Sequence, residues 1–276
     1  MVIILTDSSS DLPKDYIEKH HVHVVPLSVR VGEEEYSEGV DLSPPAFFEK
    51  MFATSELPKT SQPSPAKFAE SFQQAAQQNE QLICLTISSK LSGTYQSALL
   101  GKEISNTDVE IIDTLGGSLA YGMLVMKAVQ LANEGKSREE IVEALYTYRE
   151  NMEIFILLDN LENVVKGGRL SKFSGSVAKL LNIKIILEGI QGEIVVKEKV
   201  RGSKKFLQRA LERIQEKRDD FSDAVFGITH TGNVEEAEWL KNEINRRLHP
   251  KELYVNYMGA TMGTYAGKGG LIVSFL

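Results

Sequence analysis

Short apolar runs alternate with stretches of helical periodicity along this chain, and that alternation leaves few folds open. In the first half the runs Val2–Leu5, Val22–Val29, Leu82–Ile87 and Val109–Ile112 are strand candidates separated by helical patterns, the order expected of a parallel sheet with helix crossovers. Ser64 as N-cap and Pro65 at the first helical position start a helix predicted to run to about Gln78, with Phe68, Phe72, Ala75 and Ala76 on its core stripe. Further helices are expected over Gly117–Ala132 and over Arg138–Asn151, the latter capped by Ser137 with Glu140 three residues on.

From about residue 152 the runs are Ile154–Leu158, Lys184–Glu188, Glu193–Lys197, Ala224–Ile228, Leu253–Tyr257 and Leu271–Phe275, with helices near Ser203–Lys217 and Val234–Leu248. "KIILEGIQGEIVVKEK" places two apolar runs around Gly-Ile-Gln-Gly, a hairpin pattern that demands antiparallel pairing. The expectation is therefore α/β with two domains. Residues 1–151 form an N-terminal three-layer Rossmann-like parallel sheet, and residues 152–276 a C-terminal two-layer mixed sheet with helices.

With 276 residues, 42% hydrophobic and 25% charged, the chain can bury two cores. Its formal charge is −7, and Lys and Arg are scattered, so neither nucleic acid nor an anionic membrane surface is an expected partner. Cys84, the single cysteine, sits inside "LICLTI" and reads as a buried, reduced core residue, which excludes a disulfide framework or a thiolate metal cage. "MVIILTDSSS" lacks a basic region and carries an apolar run of only five residues, so it reads as a first strand and not as a signal or a span. A cytoplasmic location without membrane insertion, and a monomer or weak dimer, are expected.

The stretch "LPKTSQPSPAKF" identifies the site. A helix of roughly 14 residues at ~1.5 Å each and a strand of roughly six at ~3.3 Å both span about 20 Å, so a tight connection returns the helix start to the carboxyl edge of strand Leu82–Ile87. "SSKLSGTYQSA" leaves the sheet at that edge, as does "TDSSSD" after the first strand. Thr60 and Ser61 should therefore converge on Ser92, Gly93 and Thr94, where open α/β sheets bind ligands. Hydroxyls and helix-start N–H groups suit a carboxylate or phosphate, although Ser64 and Ser92 could equally act as plain N-caps.

"ILTDSSSDLP", "PLSV", "KTSQPSPAKF", "ISSKLSGTYQSA", "LENVVKGGRLSK", "EKVRGSKK" and "GTYAGKGGLIVSF" together, in order over nearly the whole chain, resemble the DegV family of fatty-acid-binding proteins. The resemblance implies a long-chain fatty acid, of the palmitate kind, buried between the two domains as ligand, with no other cofactor. It further implies a carrier that transforms nothing itself and presents the carboxylate to a partner fatty-acid kinase in bacteria. By motif, Thr60 and Ser92 would contact the carboxylate with Ser61, Gly93 and Thr94 beside them, and Arg201 would stand at the pocket mouth or face the partner. Many members have histidine where this chain has Tyr265, which can donate a hydrogen bond but cannot become cationic.

The competing chemistries are less well supported by the residues. Gly263 to Gly267 is one residue short of a phosphate loop, and Lys268 is followed by glycine where a hydroxyl is required. "GGSLA" breaks the nucleophile-elbow pattern, leaving a hydrolase with His230 as base as the alternative reading. His20, His21 and His23 have no metal-ligand spacing, and Asp7, Asp113 and Asp159 after their strands are expected to cap turns or helices.

Overall fold

The computed structural model describes residues 2–76, 81–170 and 183–276. Strands β1 (Val2–Asp7), β2 (His23–Val25), β6 (Gln81–Thr86) and β7 (Val109–Asp113) form an all-parallel sheet in the order β2-β1-β6-β7. Its two faces carry separate cores. Phe68, Phe72 and Ala75 of helix α3 (Pro65–Ala76) and Ala98 of α4 (Thr94–Ser105) pack on Leu5, Leu82 and Cys84. Helices α1 (Lys14–His20), α5 (Leu119–Asn133) and α6 (Arg138–Glu150) cover Val2, Ile4, Ile83 and Leu85 on the other face. This is the three-layer arrangement expected. Ser64 caps α3 by accepting from Lys67 N at 3.3 Å, and Ser137 and Glu140 form the expected capping box. The expected end of α3 at Gln77 and Gln78 lies outside the described residues.

The second half builds a six-stranded mixed sheet in the order β10-β9-β8-β13-β11-β12, from β8 (Glu153–Leu158), β9 (Ile183–Ile190), β10 (Glu193–Arg201), β11 (Val225–His230), β12 (Glu252–Tyr257) and β13 (Leu271–Phe275). The β9–β10 pair is the anticipated hairpin, and Gln191 and Gly192 both have positive φ, 52° and 81°, as a two-residue turn of type I′ requires. Helices α8 (Ser203–Gln215) and α9 (Val234–Leu248) cover one face around Phe155, Phe226 and Phe275.

One expectation fails in detail. Val22–Val29 is not a single strand, because Pro26 has no N–H to continue the ladder. β2 stops at Val25, and β3 (Ser28–Val31) begins a separate antiparallel sheet, β4-β3-β5, with β4 (Glu34–Ser37) and β5 (Lys59–Ser61). Helix α2 (Pro44–Ala53) follows β4, and the stretch around Thr60 that reads as loop is therefore strand. This small sheet, α2, α7 (Glu162–Lys166) and α10 (Ala260–Ala266) pack on the remaining face of the six-stranded sheet, where Val29, Phe47 and Phe48 meet Ile154, Ile156, Leu187 and Met258. Segments from both halves of the chain thus share one core, and the site lies beside it.

Phe68 is fully buried between α3 and the parallel sheet. Phe68→Ala is expected to lower stability by about 3–5 kcal/mol, the sum of lost transfer energy and a residual cavity. Denaturant unfolding of the variant checks this; a loss below about 1 kcal/mol would mean that the helix does not rely on that anchor.

Candidate functional site

A cavity of about 370 Å³ opens at the carboxyl edge of the parallel sheet, lined by Leu27, Thr60, Ser61, Gln62, Ile87, Leu91, Ser92, Arg169, Ile194, Thr261, Met262 and Tyr265. Its walls come from the β2–β3 connection, β5 and the residue after it, the β6–α4 loop, the turn after α7, β10 and α10, so six parts of the sequence meet there. Thr60, Ser61 and Ser92 do converge. Thr60 Oγ1 and the Tyr265 hydroxyl share a hydrogen bond of 2.5 Å across 205 residues of sequence. Ser92 Oγ lies 2.9 Å from Thr94 Oγ1 and accepts from Thr94 N at 3.3 Å in the turn that leads into α4, whose N-cap position is held by Gly93.

Gly93 and Thr94 do not line the cavity but stand behind it. Thr94 is buried against Ser92, while a Cβ at Gly93 would fall 2.2 Å from Gln62 Oε1. Glycine there lets the Gln62 carboxamide lie flat and donate to Ser97 Oγ at 3.0 Å. Gln62 therefore belongs to the wall, a residue that sequence reasoning passed over within "KTSQPS".

Arg201 is not part of this cavity or its mouth. It is exposed at the end of β10, in register with Ile183, because the antiparallel hairpin carries that end of the strand away from the turn that reaches the site. Among the described residues, the cation that lines the cavity is Arg169. Its guanidinium lies 4.5 Å from the Tyr265 ring centroid, and it donates to Leu91 O at 3.2 Å and Gly167 O at 2.6 Å. The available signal was an arginine directly after a Gly-Gly pair in "KGGRL", at a turn where a short helix ends.

Two further spaces adjoin. An outer cavity of about 650 Å³ shares Thr60, Ser61, Arg169 and Tyr265 with the first and is otherwise bordered by Ser28, Arg30, Glu35, Lys59 and Lys166. Cross-strand register sets Glu35, Arg30 and Lys59 in one row across β4-β3-β5, which explains their common face. On the inner side, Leu91, Ile194 and Met262 also border a narrow cavity of about 30 Å³, continued by Leu115, Gly116, Gly117, Ile154, Ile156, Gly189, Gly192 and Ile272, with Glu193 as its one charged neighbour among the described residues. Polar entrance, hydroxyl pocket and apolar interior succeed one another through shared residues.

His230 borders none of these spaces. It is buried at the end of β11, its Nδ1 accepts from Gly232 N at 3.2 Å, and its ring stands 4.4 Å from the Tyr257 ring. Burial holds its pKa below the ordinary value, so the ring is neutral at pH 7. Among the described residues no serine, threonine or cysteine side chain hydrogen-bonds it, so no nucleophile–base pair forms. Asp7 caps the turn Ser8–Ser10 and Asp113 accepts from Leu115 N and Ser89 N, both as turn caps, while Asp159 pairs with Lys184 at 2.8 Å. Cys84 is buried, and burial pushes its thiol well up. No helix among the described residues is long and apolar enough to cross a membrane.

Comparison with known proteins accords with this geometry. The family model described as "Uncharacterised protein, DegV family" matches residues 1–276. A DegV domain-containing protein of Caldanaerobacter subterraneus subsp. tengcongensis is 33% identical over 275 residues, covering 99% of this chain and 98% of the relative. A solved DegV-family structure from Thermus thermophilus, described for its fatty acid binding, superposes with a TM-score of 0.92 at 30% identity, covering 99% of this chain and 98% of that one. A stearic-acid-binding protein from Eubacterium ventriosum gives a TM-score of 0.92 at 25% identity, covering 100% of this chain and 98% of that one. With one family model spanning the sequence and full-length relatives sharing both fold and sequence, this chain belongs to the DegV family.

Proposed function

We infer that this protein binds a long-chain fatty acid between its two α/β halves, residues 1–151 and 152–276, with the carboxylate at Thr60, Ser61, Ser92 and Tyr265. The observation that carries the reading is continuity: a hydroxyl-lined pocket, with Arg169 as its cation among the described residues, leads through Leu91, Ile194 and Met262 into an interior bordered, apart from Glu193, by apolar side chains and glycines. The solved relatives that bind fatty acids support the same ligand class.

The energetics suit such a ligand. Burying about 14 methylenes at ~0.8 kcal/mol each offers on the order of 11 kcal/mol before the costs of association. Affinity then resides in the tail, and the head group needs orientation more than charge. The inner cavity holds about 30 Å³, roughly one water, so a tail enters only as its walls part. Met262, unbranched and rich in rotamers, is the wall residue best able to give way.

Presentation of the carboxylate to a partner kinase rests on the family resemblance and on the cationic outer cavity. Arg30 and Lys59 there would attract a phosphate donor to the side of the pocket away from the tail. Arg169 lends a permanent positive charge beside Tyr265. Arg201, exposed on a different edge, is available to a protein partner and not to the ligand.

Thr60→Val and Ser92→Ala each remove a hydroxyl from the head-group wall, so each is expected to weaken fatty-acid binding by about 1.5–3 kcal/mol, roughly ten- to hundredfold in Kd. Titration with a fluorescent fatty acid checks this, and unchanged affinity in both variants would place the carboxylate elsewhere. Ile156→Phe fills the inner cavity, and it is expected to reduce affinity for a long-chain acid at least tenfold more than for a medium-chain acid, given ~0.8 kcal/mol per methylene excluded. Equal losses for both lengths would show that the tail takes another path. Arg201→Ala is expected to keep the bound acid and to lose about tenfold or more in acyl-phosphate formation with a fatty-acid kinase and ATP, tenfold being ~1.4 kcal/mol. Loss of the acid itself would return Arg201 to the ligand site.

A further inference from the structure

Beside the hydroxyl pocket lies a polar system whose carboxylates do not line it. Asp7, Asp11 and Glu38 are all buried, and no lysine, arginine or histidine of the described residues forms an ion pair with any of them. Glu38 Oε1 accepts from Thr261 N at 2.6 Å, and Oε2 accepts from Thr261 Oγ1 at 2.8 Å and Ser8 Oγ at 2.6 Å. Asp11 Oδ1 accepts from Gly259 N at 2.7 Å, and Oδ2 from Ser118 Oγ at 2.5 Å. Gly259 is the N-cap of α10 and Thr261 its second residue. Two carboxylates from the first 40 residues of the sequence thus grip the start of the helix that carries Met262 and Tyr265.

They grip it from close quarters. A Cβ on Gly259 would fall 2.5 Å from Glu38 Oε1 and 2.8 Å from Asp11 Oδ1, so both oxygens converge on one point that only glycine leaves open. The grip also reaches the opposite wall of the pocket: Ser8 Oγ, while donating to Glu38, accepts from Leu27 N at 2.9 Å. Leu27 and Thr261 both line the pocket, and the same carboxylate ties them together.

We propose that Glu38 and Asp11 are positioning residues of the ligand pocket, holding the first turn of α10 and through it the placement of Tyr265 and Met262. The significance for ligand binding rests on the fatty-acid reading above, but the grip itself can be measured without ligand. Glu38 acts through Thr261 and the helix and does not itself line the cavity.

The carboxylates also give the grip a pH dependence of definite sign. Burial pushes Glu38 and Asp11 above the ordinary carboxylate range, and the neighbouring charge of Glu38 pushes Asp11 further. Asp7 from β1 and Tyr121 from α5 are the other titratable groups facing the pair, with Cys84 of β6 behind Asp7; all three are raised in the same way. On β11, Thr229 faces Ser118, and His230 is turned toward Tyr257. An acid with a raised folded pKa stabilises most fully below its unfolded value and loses that contribution as pH rises through the folded value. The grip therefore loosens with rising pH, as charge accumulates without a counter-ion.

The test compares full-length wild type with Glu38→Ala and Glu38→Gln by amide hydrogen exchange over residues 258–267 and by fluorescent fatty-acid titration, from about pH 5 to pH 10. In Glu38→Ala, protection of α10 is expected to fall at least tenfold while that of α9 is retained, with Kd raised at least tenfold. Glu38→Gln, which keeps an acceptor for Thr261 N and removes one charge, is expected to stay within about threefold of wild type near neutral pH and to flatten the loss of protection at high pH. Unchanged α10 protection in Glu38→Ala, or a fall shared equally by α9, overturns the proposal. So does a Glu38→Gln pH profile that parallels wild type, and this arm decides alone if Glu38→Ala does not fold. Wild type that binds no fatty acid defeats the functional reading, whereas the exchange data still judge the grip.

Discussion

The Asp7 carboxylate is the constraint on which the site geometry depends. It is wholly buried, with Oδ1 accepting from Ser9 N, Ser9 Oγ and the Tyr121 hydroxyl and Oδ2 from Ile87 N at 2.8 Å. A buried carboxyl with this many donors resists relocation, since losing any one leaves a buried polar group unpaired. The bond to Ile87 joins the loop after β1 to the loop after β6, and the bond to Tyr121 joins both to α5. The carboxyl edge of the sheet becomes one rigid rim, from which Ser92 and the start of α4 emerge. A hydroxyl pocket can be precise only if such a rim holds its loops.

Much of this could be inferred from local pattern. The convergence of Thr60 and Ser61 on Ser92 followed from matched lengths of one helix and one strand, a property of contiguous sequence. The hairpin was legible for the same reason, through Gly189–Gly192. The small β4-β3-β5 sheet was not, because Pro26 splits an apparently continuous run and sends Ser28 into a second sheet, a change only tertiary pairing reveals. Arg169 was quoted within a motif and yet assigned no role, since its contacts with Leu91 and Tyr265 span 78 and 96 positions that nothing local connects. Asp11 and Glu38 are illegible for the same reason. "TDSSSD" shows its hydroxyls and acids plainly, but their partner Gly259 is 248 residues away.

The electrostatics of the pocket follow from where Arg169 directs its donors. Its Nε and Nη1 are engaged by the carbonyls of Leu91 and Gly167, so the guanidinium is fixed as a cation lying over the Tyr265 ring and is not held out as a free fork. A carboxylate entering the pocket would meet hydroxyls at short range and this charge beyond them. Such an arrangement orients an anion without clamping it. A bidentate arginine would raise affinity for the head group alone and would admit short carboxylates that lack a tail.

The deeper consequence lies in what α10 carries. Met262 borders the passage to the apolar interior and Tyr265 completes the hydroxyl pocket, and both belong to one helix of seven residues. A helix this short depends on tertiary contacts for its stability, and the contacts at its start are with Glu38 and Asp11. A rotamer change of Met262 leaves the helix in place, whereas a shift of α10 itself also moves the Tyr265 hydroxyl against Thr60. On the fatty-acid reading, such a shift of the helix would link the tail passage to the hydroxyl pocket, and the side chains at the helix start bear on both. Placing that hold behind the pocket, in buried carboxylates contributed by the opposite half of the chain, lets the two halves bear on the same helix without occupying any of the space the ligand needs.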